Sequence, residues 1–281
     1  KSKIPSSKFM AWSLTATMTA LTVLAAPAPK GTKEKETDKT AQLIEQLSSE
    51  DKGQQTLALN AIKKLNRDQT GKLLAAKRAK PDLAAVIDEA VETIWGMPAS
   101  EVEPVLDLLD AWNPADEPST EKVLGKFQEL RGRAIPFLEM LQAEKSPKGE
   151  FARELLEPFK QVRQGEQLFF GKAQCAACHR IGAEGKGTQG PNLEGIGKAA
   201  GDRAHQRFVV IGRKMSGTDY LVESLVDPDA WTVAGYPKET HPDLRAEPLS
   251  LKDAEIKALV VLLQALGSRP APSEIRIPAA E

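Results

Sequence analysis

The stretch KAQCAACHRIGAEGKGTQGPNL, residues 172–193, concentrates the reactive side chains of this chain. It contains both cysteines of the sequence, Cys175 and Cys178, and His179, one of only three histidines. A disulfide across two intervening residues would close a very short loop and stabilise little. The five residues from Cys175 to His179 therefore point to a bound group rather than to a structural disulfide.

The order Cys-Ala-Ala-Cys-His is the attachment pattern of a c-type haem. In that pattern Cys175 and Cys178 form the two thioether bonds and His179 binds the iron. A redox dithiol and half of a zinc site are the alternatives. A dithiol does not need the histidine, and the chain has no further cysteine to complete a zinc site. The single motif predicts one haem c as the cofactor.

The sequence around the motif resembles the single-haem, class I type of cytochrome c over residues 162–267. The resemblance is carried by an attachment region, a middle helix and a last helix, in QGEQLFFGKAQCAACHRIGAEGKGTQGPNLEGIG, DYLVESLVDPDAW and LSLKDAEIKALVVLLQALG. It implies a class I cytochrome c fold over residues 161–268, followed by a C-terminal tail at 269–281. It also implies that the carbonyl of Pro191 accepts a hydrogen bond from Nδ1 of His179, which leaves Nε2 for iron.

The sequence departs from the family pattern at the second axial ligand. Where the family usually has methionine before proline, this chain has His241 before Pro242. His241 is therefore the candidate distal ligand. Met215 and His205, both in an apparent insertion at 198–216, are the alternatives, together with an open coordination site. Because thioether ligation raises the haem potential, a second histidine predicts a lower potential than in methionine-ligated relatives.

The last helix can also be read without the family. Ser250 with Asp253 is typical of an N-terminal cap, and Gly267 is typical of a helix end. One apolar stripe runs between them, at Ile256, Leu259, Val260, Leu263 and Leu266. In the fold that the resemblance implies, this stripe crosses the helix that bears Val162, Leu168 and Phe169 and closes the haem pocket.

Residues 41–160 show apolar residues at helical spacing in several short segments. Aromatic residues make up only 5% of the chain, which favours helix over sheet and predicts an all-α fold. The segment LIEQLSSEDKGQQTLALNAIKKL resembles a HEAT-type repeat, and an irregular helical bundle is the alternative. This domain is predicted to be either a docking platform or a spacer.

The N-terminus combines a basic segment, residues 1–8, with an uncharged apolar run from Phe9 to Ala26. This pattern is typical of a secretory signal or a membrane-anchor helix over residues 1–26, and we favour the anchor. Residues 27–40 are predicted to form a flexible tether. Positive charge before the apolar run places the rest of the chain on the periplasmic or other extracytoplasmic side.

Together these features predict a membrane-anchored electron-transfer protein rather than an enzyme. Its expected partners are redox proteins or a membrane electron-transfer complex, of which it could be a subunit. The net charge of −1 gives no reason to expect a nucleic-acid partner. An assembly subunit with an accessory haem and a five-coordinate haem enzyme or sensor are the alternative functions.

Overall fold

The computed structural model describes residues 31–238 and 240–279 of the protein. This part of the chain consists of α-helices joined by short 3-10 turns and loops, and it contains no β-strand, so the all-α prediction is confirmed. The helices are α1 (Gly31–Leu47), α2 (Lys52–Ile62), α3 (Thr70–Ala79), α4 (Ala84–Trp95), α5 (Ala99–Ala111), α6 (Glu117–Leu130), α7 (Ile135–Gln142), α8 (Pro147–Phe170), α9 (Ile196–Ile211), α10 (Gly217–Val226) and α11 (Asp253–Ala265).

The N-terminal helix begins earlier than the sequence suggests. Helix α1 starts at Gly31, so residues 31–40 of the predicted flexible tether are helical. The predicted signal or anchor helix at residues 1–26 lies outside the described residues. None of the described helices is both long and apolar enough to cross a membrane.

Helices α1 to α7 and the first half of α8 enclose one hydrophobic core. Its aromatic side chains interlock: Trp95 stacks on Phe137 with ring centroids 4.4 Å apart, and Phe127 meets Phe159 edge-on at 6.3 Å. Consecutive helices pack against each other, as in the pairs α1–α2 and α7–α8. The HEAT-type repeat itself stays a prediction. We call this unit the helical domain.

Helix α8 continues without interruption from the helical domain into the C-terminal domain. Phe159 is the last buried residue of the first core, and Val162 is the first of the second. The two residues lie less than one helical turn apart. The two cores are therefore joined by a continuous helix, not by a flexible linker.

The second half of α8 crosses α11 at very short range. A Cβ atom on Gly165 would lie only 2.2 Å from the backbone oxygen of Ala258, so the crossing has room only for glycine. The predicted stripe on α11 is buried, and so are its predicted partners on α8, which confirms that contact. The buried residues are Ile256, Leu259, Val260, Leu263, Leu266, Val162, Leu168 and Phe169.

The predicted cap of α11 is wrong. The helix is capped by Lys252, whose backbone N–H donates to Oε2 of Glu255 at 2.8 Å. Ser250 instead has a φ of +43° and lies outside the helix. Glu255 also contacts Nζ of Lys172 at 2.9 Å, so it links α11 to the segment just before the cysteines.

The segment predicted as a C-terminal tail folds back onto the C-terminal core. Ile275 is buried there, and Ile277 packs against the same cluster. The backbone N–H of Ala271 donates to Oε1 of the buried Gln264 on α11 at 3.0 Å. Arg269 forms an ion pair with Glu154 on α8 at 2.7 Å, so the segment also contacts the helical domain.

Substituting alanine at Gly165 tests the helix crossing. We expect Gly165→Ala to lower the free energy of unfolding by about 3 kcal/mol, because the added methyl group forces the backbones of α8 and α11 apart. Urea denaturation of the haem-loaded protein measures the change. Gly201→Ala on α9 is the matched control, since a Cβ there meets nothing within 4 Å. Equal stability of the two variants would contradict the close crossing.

Candidate haem site

The two cysteines and His179 lie on one tight turn after α8. A 3-10 turn spans Cys175–Ala177, and it follows Gln174, whose φ of +54° lies in the left-handed region. The backbone N–H of His179 donates to the carbonyl of Cys175 at 2.9 Å. The turn therefore holds both thiols and the imidazole within five residues.

Both thiols are free and half-buried. Burial raises the pKa of the Cys175 thiol to about 11, so this thiol stays protonated at neutral pH. Sγ of Cys178 lies 3.4 Å from Oε1 of Gln189 in the following loop. Both thiols are thus partly accessible, as a bond to an external group requires.

The loop after the turn packs directly on the His179 ring. Nδ1 of His179 lies 2.9 Å from the carbonyl oxygen of Pro191, the contact that the family resemblance implies. A Cβ atom on Gly190 would lie 2.3 Å from Cε1 of the ring, so only glycine fits there. With Nδ1 donating to a carbonyl, Nε2 is the nitrogen left to bind a metal.

Backbone and amide hydrogen bonds fix this loop. The N–H of Gly190 donates to the carbonyl of Cys178 at 2.9 Å, and that of Leu193 donates to the carbonyl of Arg180 at 2.8 Å. Oδ1 of Asn192 accepts two backbone N–H groups at 3.1 Å each. Sequence reasoning gave a role only to Pro191 in this stretch. The Gly-Pro-Asn motif was the signal that could have pointed to Gly190 and Asn192 as well.

The ring of His241 lies close to the ring of His179. The centroids of the two imidazole rings are 6.3 Å apart, and the ring planes are inclined by 53°. Nδ1 of His241 lies 3.0 Å from the carbonyl oxygen of Pro242, so both rings meet a proline carbonyl through the same nitrogen. Burial lowers the pKa of His241, which favours the neutral ring that binds metals.

The loop that carries His241 is anchored on both the core and α11. Leu244 is 2% exposed, and its carbonyl accepts the N–H of Leu251 at 2.8 Å. The side chain of Arg245 donates to Oδ1 of Asp253, the first residue of α11, at 3.0 Å. The position of His241 therefore depends on the helix that crosses α8.

The other two candidate ligands, His205 and Met215, lie on and just after α9. Most of the apparent insertion at 198–216 is helix α9, which packs against α10. His205 is exposed on α9, with its ring 6.2 Å from that of Phe208. Met215 follows α9 and packs, half-buried, against the C-terminal core. Of these three candidates, His241 is the one whose position next to His179 fits a shared metal, with the two ring centroids 6.3 Å apart.

The donor set fits a haem. Cys175 and Cys178 could hold it covalently, and the two imidazoles could bind its iron from opposite sides. A metal–imidazole bond is about 2 Å long, and adding the distance from nitrogen to ring centre on both sides gives a centroid separation of about 6 Å. The observed 6.3 Å agrees with this geometry.

Comparison with known families agrees with this site. Residues 162–267 match the family model described as cytochrome c. These are the residues over which the sequence resembles the family, and they include the attachment turn, the Pro191 loop, His241 and α11. No curated protein matches the chain. The part of the chain from residue 162 to residue 267 is a cytochrome c domain.

Proposed function

We propose that this protein carries single electrons through one haem c that has His179 and His241 as its axial ligands. The observation that carries the proposal is the 6.3 Å separation of the two imidazole rings. The bound haem supplies the exchange of one electron between ferrous and ferric iron. Cys175 and Cys178 hold it in place.

The chain's own residues support a carrier over an enzyme. The carbonyls of Pro191 and Pro242 hold a proton on Nδ1 of each histidine, which directs both Nε2 atoms to metal binding. With both imidazoles bound to the iron, no coordination position would be left for a substrate or a gas. The five-coordinate enzyme or sensor would require His241 to stay unbound.

We also propose that the protein works at a membrane, on the extracytoplasmic side, as a subunit of or donor to a redox complex. The basic residues 1–8 and the uncharged run at 9–26 support this location. A haem c is attached outside the cytoplasm, which agrees with an extracytoplasmic location. The helical domain, which continues into the cytochrome c domain through α8, would provide the surface for the partner.

Replacing His241 tests the ligand assignment. In the wild-type protein we expect no binding of carbon monoxide to the reduced haem, because both axial positions are filled. His241→Ala opens one position, so its reduced spectrum should change when carbon monoxide is added. Absorption spectroscopy of the purified protein measures both.

His205→Ala and Met215→Leu are the matched controls. Both should have the wild-type spectrum, and their reduced spectra should not change when carbon monoxide is added. Binding of carbon monoxide to the wild-type protein would favour the five-coordinate enzyme or sensor. If either control binds carbon monoxide as His241→Ala is expected to, the residue replaced in that control is the distal ligand.

A methionine at position 241 should raise the midpoint potential. Thioether sulfur donates less strongly to ferric iron than imidazole does, so His241→Met stabilises the ferrous state. Potentiometric titration measures the shift, with Met215→Leu as the control. A potential equal to that of the wild type would show that residue 241 is not a ligand.

Fractionation tests the location. We expect the full chain in the membrane fraction and a variant without residues 1–26, given an independent export signal, in the soluble extracytoplasmic fraction with its haem. A soluble full-length protein that still contains residues 1–26 would contradict the anchor.

A further inference from the structure

Arg131 is a buried arginine at the border of the two domains. It begins the 3-10 turn Arg131–Ala134 between α6 and α7, in the helical domain. Its side chain is only 8% exposed. A charged side chain is rarely buried to this degree unless it is paired. Its partners therefore show what the position is used for.

Both of its partners are carboxylates of the C-terminal half of the chain. Nε donates to Oε1 of Glu166 on α8 at 2.7 Å, and Nη2 lies 2.6 Å from each carboxylate oxygen of Glu184. Glu184 belongs to the loop that follows the haem-attachment turn. The backbone N–H of Gly132 adds a second contact to Glu166 at 3.3 Å. One guanidinium thus joins the helical domain, α8 and the haem loop.

The contact is maintained against two costs. Burial lowers the pKa of Arg131, but the hydrogen bonds to Glu184 and Glu166 outweigh this effect and raise the pKa above its ordinary value. The backbone of Arg131 also has a φ of +52°, a conformation that is strained for a residue other than glycine. Such conformations persist where the surrounding contacts fix them.

Glu184 is followed by Gly185, whose backbone packs closely against the backbone of His179. Ile181 and Glu184 exchange two backbone hydrogen bonds of 3.0 Å, which makes 181–184 a closed turn. A Cβ atom on Gly185 would lie 2.9 Å from the carbonyl oxygen of His179. Holding Glu184 therefore holds the backbone that packs against His179.

We propose that Arg131 is a positioning residue through which the helical domain holds the haem loop in place and sets the potential of the haem. The inference about potential rests on the proposed function, since it needs a haem bound at His179. The inference about the loop does not. If Arg131 has this positioning role, the helical domain is part of the haem site and not only a docking platform beside it.

The charges predict opposite effects of removing the two partners. Arg131, Glu166 and Glu184 together carry a net charge of −1. Arg131→Gln makes it −2, which favours ferric iron and lowers the midpoint potential. Glu184→Gln makes it 0 and raises the potential. Both variants break the same ion pair, so both should free the loop.

The experiment measures two properties of the haem-loaded full chain. Hydrogen–deuterium exchange of residues 180–187 should be about tenfold faster or more in both variants, because an ion pair with a buried partner is lost. Potentiometry should show a lower potential for Arg131→Gln and a higher one for Glu184→Gln. Arg131→Lys keeps the positive charge but loses the planar guanidinium that binds both carboxylates. Its midpoint potential should therefore stay near that of the wild type, while hydrogen exchange in residues 180–187 becomes faster.

Arg269→Gln is the matched control. Arg269 also pairs across the domain border, with Glu154, but it is half-exposed and does not touch the haem loop. It should leave exchange and potential unchanged. If Arg131→Gln does not fold, Glu184→Gln still tests the proposal. The Glu184 side chain is 52% exposed, so its replacement should not prevent folding.

Unchanged exchange in residues 180–187, or the same change in Arg269→Gln, would overturn the positioning role. Shifts of the potential in the same direction in Arg131→Gln and Glu184→Gln would overturn the electrostatic one. Neither outcome depends on which residue is the distal ligand, so a failure here is distinct from a failure at His241.

Discussion

The close crossing of α8 and α11 at Gly165 is the constraint on which the haem site depends. Each of these helices leads to one of the two neighbouring histidines, His179 and His241. Helix α8 ends at Phe170, five residues before Cys175, and α11 begins at Asp253, which holds Arg245 of the His241 loop. The distance between the helix axes therefore bears on the distance between the two imidazoles. The glycine at position 165 allows the two helix axes to come this close.

The two histidines are held in similar ways by different loops. In both, a proline carbonyl lies about one hydrogen-bond length from Nδ1. For His179 that carbonyl is twelve residues away, across a loop that Gly190 and Asn192 fix; for His241 it belongs to the next residue. His179 is thus fixed by a longer network, and His241 by its own turn and by the anchoring of Leu244 and Arg245.

The helical domain is joined to the haem site more closely than a tethered module would be. Helix α8 belongs to both cores, and Arg131 brings a charge of the helical domain to Glu184. An event on the helical domain, such as the docking of a partner, would therefore have a direct physical route to the haem loop. Removing the helical domain would also remove half of α8 and the buried partner of Glu184.

Much of this architecture can be predicted from sequence because it depends on local patterns. The Cys-x-x-Cys-His motif, the Gly-Pro-Asn stretch and the stripe on α11 are short-range signals, and they lead to the site and to the helix crossing.

What the sequence does not reveal depends on contacts between distant residues. Arg131 lies 53 positions before Glu184, and nothing in its neighbourhood marks it as a buried ion-pair partner. The cap of α11 was misplaced for a related reason: Glu255 is shared with Lys172, 83 positions earlier, and this contact helps to fix where the helix starts. The folding back of residues 269–279 likewise depends on the buried Gln264.

The central claim is that His179 and His241 bind the same iron. The near-infrared absorption spectrum of the oxidised wild-type protein tests it most directly, because ferric haem with a methionine ligand has a characteristic charge-transfer band. The account predicts a low-spin ferric spectrum without that band. Its presence would show that a methionine occupies the position assigned to His241, and a high-spin spectrum would show that the position is open.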